Sequence, residues 1–170
     1  MIRRRLILAA ALWPGYSLAQ SCGPATLRQT EGPFFKPQSP ERSSLLEGRN
    51  GTLLVSGRVL DPDCKPVAHA LLDFWHADEK GRYDNEGFRY RGHQFTDADG
   101  HYRLETIVPA EYPGRARHIH VKVQRPGGKI LTTQLYFPNN PGNQYDNIFR
   151  PELVMHMATR GQGTFDFVLI

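Results

Sequence analysis

The sequence predicts an all-β fold: a single-domain β-sandwich with an extended N-terminal arm. Three observations lead there. Short apolar runs with period-two alternation recur from residue 52 to the C-terminus, turns rich in Gly, Pro, Asn and Asp separate them, and helical periodicity is scarce. A chain of 170 residues is one domain by size and long enough to bury a core.

The elements follow in chain order. MIRRRLILAAALWPGYSLA, residues 1–19, has a basic start, an apolar run and Ser17-x-Ala19, the pattern of a secretory signal peptide. The run is too short for a membrane anchor and is broken by Pro14 and Gly15, so no membrane span is expected after its removal. Arg3, Arg4 and Arg5 before Leu6 also match the twin-arginine pattern, which would place the mature chain in a bacterial periplasm or outside the cell. Residues 20–50, rich in Pro, Ser, Gly and charge, read as an arm draped over the domain of residues 51–170. In that domain TLLVSGRVL (52–60), HALLDFWHA (69–77), RARHIHVKV (115–123), KILTTQLYF (129–137) and TFDFVLI (164–170) read as strands. HQFTDADGHYRLETI (93–107) reads as a hairpin about Asp99-Gly100, and a helical turn fits near 149–153. DADG (97–100) looks like a fragment of a calcium loop but lacks the other ligands, and is read as a turn.

Composition narrows the function. The leader carries three arginines and no acid, so the mature chain has 18 basic against 17 acidic residues. That balance gives nucleic-acid binding no support. Cys22 and Cys64, in a chain bound for an oxidising compartment, are expected to form a disulfide tying the arm to the turn DPDCKP (61–66).

The chemistry concentrates in RARHIHVKV. Ile119, Val121 and Val123 alternate as in a strand, so His118 and His120 project together from the other face. Two neutral imidazoles side by side suit one metal ion. No Cys-rich or HExxH pattern accompanies them, which leaves the metal and its other ligands open at this point.

Four longer segments supply more. EGPFF (31–35), SGRVLDPDCKPVAHALLDFWHADEKGRYD (56–84), FRYRGHQFTDADGHYRLETIVPAEYPGRARHIHVKV (88–123) and LTTQLYF (131–137) together resemble, in order, the intradiol ring-cleavage dioxygenases. This is the family of protocatechuate 3,4-dioxygenase and catechol 1,2-dioxygenase, and the cysteine placement resembles its exported branch. The resemblance implies that Tyr83, Tyr112, His118 and His120 bind non-haem Fe(3+). It implies cleavage of a small catechol-type aromatic with O2, between its two hydroxyl-bearing carbons, to a cis,cis-muconate-type diacid. By the same resemblance Tyr112 leaves the iron when substrate binds and accepts a proton, while Tyr83 stays. Arg115 would stabilise charge building on the substrate. Gln134, Gly32, Pro33 and Phe34 would line the substrate pocket. Arg117 alternates away from His118 and is expected to point elsewhere. Only Pro113 and Gly114 separate Tyr112 from Arg115, where many relatives carry a longer segment, so a wider pocket is expected. A homo-oligomer is compatible with the sequence.

Two other readings share some of these motifs. A transthyretin-like or carboxypeptidase regulatory-like binding module would need neither the H-x-H nor the paired tyrosines. A copper/zinc redox sandwich would need more histidines and a bridging aspartate, a spacing that His69, His76, His93, His101 and His156 lack.

Overall fold

The computed structural model describes residues 22–48 and 50–170. The leader expected at 1–19 lies outside them. Among the described residues nine strands form: β1 (Leu53–Leu60), β2 (Leu71–Trp75), β3 (Arg91–Phe95), β4 (His101–Thr106), β5 (His118–Gln124), β6 (Leu131–Tyr136), β7 (His156–Thr159), β8 (Gln162–Thr164) and β9 (Phe167–Val168). They divide between two sheets. One runs β4-β1-β8-β7, with β9 also pairing β1, and the other runs β3-β2-β5-β6. Two short 3-10 turns follow β6, at Pro141–Gln144 and at Pro151–Leu153, the second of them the expected turn. Among the described residues no helix is long and apolar enough to cross a membrane.

The core lies between the sheets, built from the apolar phase of each strand. Val55 and Val59, Leu72 and Phe74, Tyr102 and Leu104, and Ile119, Val121 and Val123 all contribute to it. The opposite phase of the second sheet faces outward, and there the arm covers it. Thr26 donates its N–H to Val168, Gln29 to Thr132, Arg42 to His93 and Leu45 to Glu105. The arm therefore crosses β6, clips onto β3 and ends on β4. β3 and β4 are outermost in their sheets, so the arm also covers two edges that would otherwise offer unpaired backbone. Leu45, fully buried, anchors its far end in the core. The expected disulfide is present: Cys22 and Cys64 are bonded, their Cα atoms 5.0 Å apart.

Three expectations need correcting. Residues 93–107 are not a hairpin, because β3 pairs with β2 and β4 pairs with β1. Asp97 does make the expected turn, its Oδ1 accepting from Asp99 N and His101 N. The turn instead forms a corner between the sheets, since Gly100 sits so close to β1 that a Cβ there would be 2.7 Å from the Val59 carbonyl. The closing run 164–170 breaks at Phe165-Asp166 into the ends of two strands, both parallel to β1. β7 was not expected at all. Its residues are mostly exposed and carry no alternation to read.

Candidate active site

Residues paired across an antiparallel sheet share a face. Trp75 pairs with both Arg91 and His120, and His120 with Gln134, so these four form one row across the outer face of the second sheet. His118 pairs with Tyr136 in the neighbouring row. The arm lies over them. A Cβ on Gly32 would be 3.5 Å from His120 Cε1, and the positive φ of Gly32 (72°) lets its backbone come this close. Lys122, next in phase on β5, pairs with Glu31 at 2.5 Å and sits 3.3 Å from the centre of the Phe35 ring, fixing the arm there.

Both imidazoles are buried and oriented. His118 Nδ1 donates to the Ala116 carbonyl at 2.6 Å, which leaves its Nε2 bare. That nitrogen lies 3.0 Å from His120 Nε2. The Trp75 indole stacks on the His120 ring at 4.8 Å and 6° and sets its plane. His120 Nδ1 is buried without a hydrogen-bond partner. Burial pushes His118 down to about 4, with the Ala116 bond opposing and the Arg115 charge assisting. Burial, then the neighbouring His118, holds His120 well below the usual imidazole range. Both rings are neutral at physiological pH, the form that binds a metal.

The tyrosines arrive on two long loops. Tyr83 lies between β2 and β3, Tyr112 between β4 and β5. The loops are locked to each other: Ala110 N donates to the Asp78 carbonyl, and a Cβ on Gly81 would be 2.2 Å from the Glu111 carbonyl. Tyr83 Oη reaches 3.3 Å from His118 Nε2. Burial raises its pKa, and the charges of Arg115 and Arg91 oppose that rise. Tyr112 comes edge-on to Tyr83, ring centres 5.9 Å apart, and joins the group through ring contacts. Three donor atoms thus converge on one point, with a second phenol alongside. Among the described residues no three His, Cys, Asp or Glu side chains gather as a possible metal site, and the phenol oxygen of Tyr83 is the one placed against His118. Neutral imidazoles with phenol oxygens suit a hard, highly charged cation once the phenols lose their protons.

Arg115 is held beside this group. Its Nε donates to Asp146 Oδ2 at 2.9 Å, and one terminal nitrogen donates to Gln134 Oε1 at 2.6 Å and Tyr136 Oη at 3.3 Å. Asp146 also accepts from Ala116 N and Ile148 N. Arg117 points away, its guanidinium 5.9 Å from the Phe137 ring.

The proposed pocket residues divide. Phe34 stacks on Tyr83 at 4.3 Å and meets Tyr112 edge-on at 5.2 Å, so it touches both phenols. Pro33 is exposed. Gln134 is fully buried with both polar ends used, the oxygen by Arg115 and Tyr136 and the nitrogen by the Thr30 carbonyl. Sequence reasoning missed Asp146, Tyr136 and Arg91. Arg91 is buried and holds the Phe34 and Asp84 carbonyls, tying the arm to the Tyr83 loop. No local signal marks these three, because each becomes visible only through its partner.

Residues 30–169 match the model of the family described as Dioxygenase. The chain belongs to the intradiol ring-cleavage dioxygenase family. The protocatechuate 3,4-dioxygenase beta chain of Burkholderia cepacia is 38% identical over 116 residues, covering 58% of this chain and 49% of that one. The catechol 1,2-dioxygenase of Acinetobacter baylyi is 31% identical over 148 residues, 69% of this chain and 48% of its own. Among solved structures, the dioxygenase domain of a dioxygenase carbohydrate-binding protein fusion from Streptomyces sp. SirexAA-E has a TM-score of 0.82 at 56% identity. It covers 86% of this chain and 98% of that one. The chain spans about half the length of the curated relatives it matches. Membership places the shared sandwich motifs in this family rather than in a transthyretin-like module or a copper/zinc sandwich.

Proposed function

We propose that the chain is an exported non-haem iron dioxygenase that opens a catechol-type ring between its hydroxyl-bearing carbons. The observation that carries this is the convergence of His118 Nε2, His120 Nε2 and Tyr83 Oη, with Tyr112 alongside and Arg115 caged next to them. Tyr83, Tyr112, His118 and His120 would hold the ion. When bound, Fe(3+) supplies the charge that draws in both catechol oxygens and readies the ring for O2.

The chain's own residues do the rest. Tyr112 Oη would accept a proton from the incoming catechol as general base. Tyr83 stays in place, its ring pinned under Phe34. Arg115 cannot follow the substrate because Asp146, Gln134 and Tyr136 hold it, so its charge is preorganised where electron density builds. Gly32 lies against His120 and Phe34 against Tyr83, so the arm shields both from water. Both oxygen atoms of O2 enter the product, which leaves as a cis,cis-muconate-type diacid. Pro113 and Gly114 are both exposed, so the mouth beside Tyr112 and Arg115 admits ring substituents. The division into a leader (1–19), an arm (20–50) and a catalytic sandwich (51–170) belongs to this reading, and the Cys22–Cys64 bond supports export.

The test is spectroscopic and chemical. Purified protein should carry stoichiometric iron with a visible phenolate-to-iron band, consume O2 with catechol, and yield the diacid. Tyr83→Phe should bleach or strongly shift the band. A colourless protein holding zinc would refute the reading.

A further inference from the structure

The structure leaves Arg117 with no role at the proposed active site, yet its environment is unusual. Its Nε is buried without a hydrogen-bond partner, and among the described residues no carboxylate forms an ion pair with it. Arg115, two residues earlier, has Asp146. A buried guanidinium N–H without an acceptor is costly, so this cation gains from an anion brought to the part of its side chain that faces solvent. Arg117 lines a groove of about 990 Å3 behind the Tyr112 loop. Val108, Phe137 and Met157 give the groove apolar walls, and Arg160, at the exposed turn between β7 and β8, adds a second guanidinium. Among the described residues Glu111 is the one acid lining it, and its Oε1 already accepts from Asn140 Nδ2 at 2.7 Å.

We propose that this groove is a binding site for organic carboxylates, anchored by Arg117, with dicarboxylates preferred. The guanidinium fork matches a planar carboxylate, and the apolar walls match the carbon body behind it. An inorganic anion would gain only the first of these. Two guanidiniums favour two carboxylates. A muconate-type diacid meets both requirements, and naming that ligand rests on the proposed function. The groove adjoins the active site directly, because Glu111 precedes Tyr112 and lines the mouth of the site as well.

Isothermal titration of the iron-loaded full chain with cis,cis-muconate, and separately with sulfate, tests the site. Saturable muconate binding, tighter than sulfate, is expected. Arg117→Gln should weaken it about tenfold. Arg160→Gln, at an exposed turn where folding is not at stake, should weaken it less, and Arg115→Gln should leave it intact. Absence of saturable binding, equal affinity in both Arg117→Gln and Arg160→Gln, loss in Arg115→Gln, or sulfate binding as tight as muconate would overturn the proposal. Catechol turnover measured in parallel separates the two readings. Muconate binding that depends on Arg117, in a protein that opens no ring, would sink the proposed function and leave the groove standing.

Discussion

Arg115 and Arg117 carry the same side chain two residues apart and meet opposite surroundings. Arg115 has a buried carboxylate, an amide and a phenol holding it, and Arg117 has an aromatic face and lines a groove. The difference predicts different kinetics. Arg115→Ala should leave iron and colour in place while lowering kcat about a hundredfold or more, by analogy with other preorganised electrostatic donors. Arg117→Ala should open the ring at the normal rate. Steady-state O2 consumption by the two variants decides the assignment, and the reverse pattern would exchange their roles.

At the scale of elements, the two tyrosine loops act as one unit. Gly81 is where they touch: its φ is +75° and its missing Cβ leaves room for the Glu111 carbonyl. Gly81→Ala should therefore cost about 1–3 kcal/mol and push the phenols apart. Weaker iron retention against a chelator, together with a lower melting temperature, is the expected result. The end of β2 also carries an acid sensitivity. His76 is buried between the Ala77 carbonyl and the Thr106 hydroxyl, and burial pushes its pKa down to about 4 despite the Ala77 bond. The unfolded chain takes that proton near pH 6.5, so the contribution of His76 is fully present above that pH. It is lost as pH falls toward about 4, roughly 3 kcal/mol in all. Urea unfolding should show a steeper loss of stability between about pH 7 and pH 4 in the wild type than in His76→Gln. Parallel slopes would remove His76 as the source.

The whole molecule depends on the arm. It covers the outer face of one sheet, closes edges on both, and places Gly32 and Phe34 over the candidate site. Its start is tied by a disulfide that closes a 42-residue separation, worth roughly 3–4 kcal/mol in the chain-entropy model. Cys64→Ser should still bind iron, because the donors sit on the strand β5 and its neighbouring loops. It should melt about 10 °C lower and turn over more slowly as the arm loosens. Calorimetry and steady-state rates check both effects. Two free thiols in the mature exported protein, found by mass spectrometry without reductant, would contradict the bond.

Much of this was legible without coordinates, and the reason is that local periodicity is written in the chain. Alternation in RARHIHVKV put His118 and His120 on one face with Ile119, Val121 and Val123 on the other, and the sheet bears that out. The pairing of Cys22 with Cys64 followed from having two cysteines in one compartment. What a strand pairs with is not written locally. TDADG makes the same turn whether its arms pair with each other or part to different sheets, and only the approach of Gly100 to Val59 decides that they part. The cage around Arg115 has the same origin. Asp146 lies 31 positions along the chain from Arg115, Gln134 and Tyr136 lie on another strand, and nothing near any of them signals the others. Residue type and spacing determined which face would carry imidazoles. Long-range strand pairing and the path of the arm decided which groups surround them, because those contacts join segments whose proximity exists only after folding.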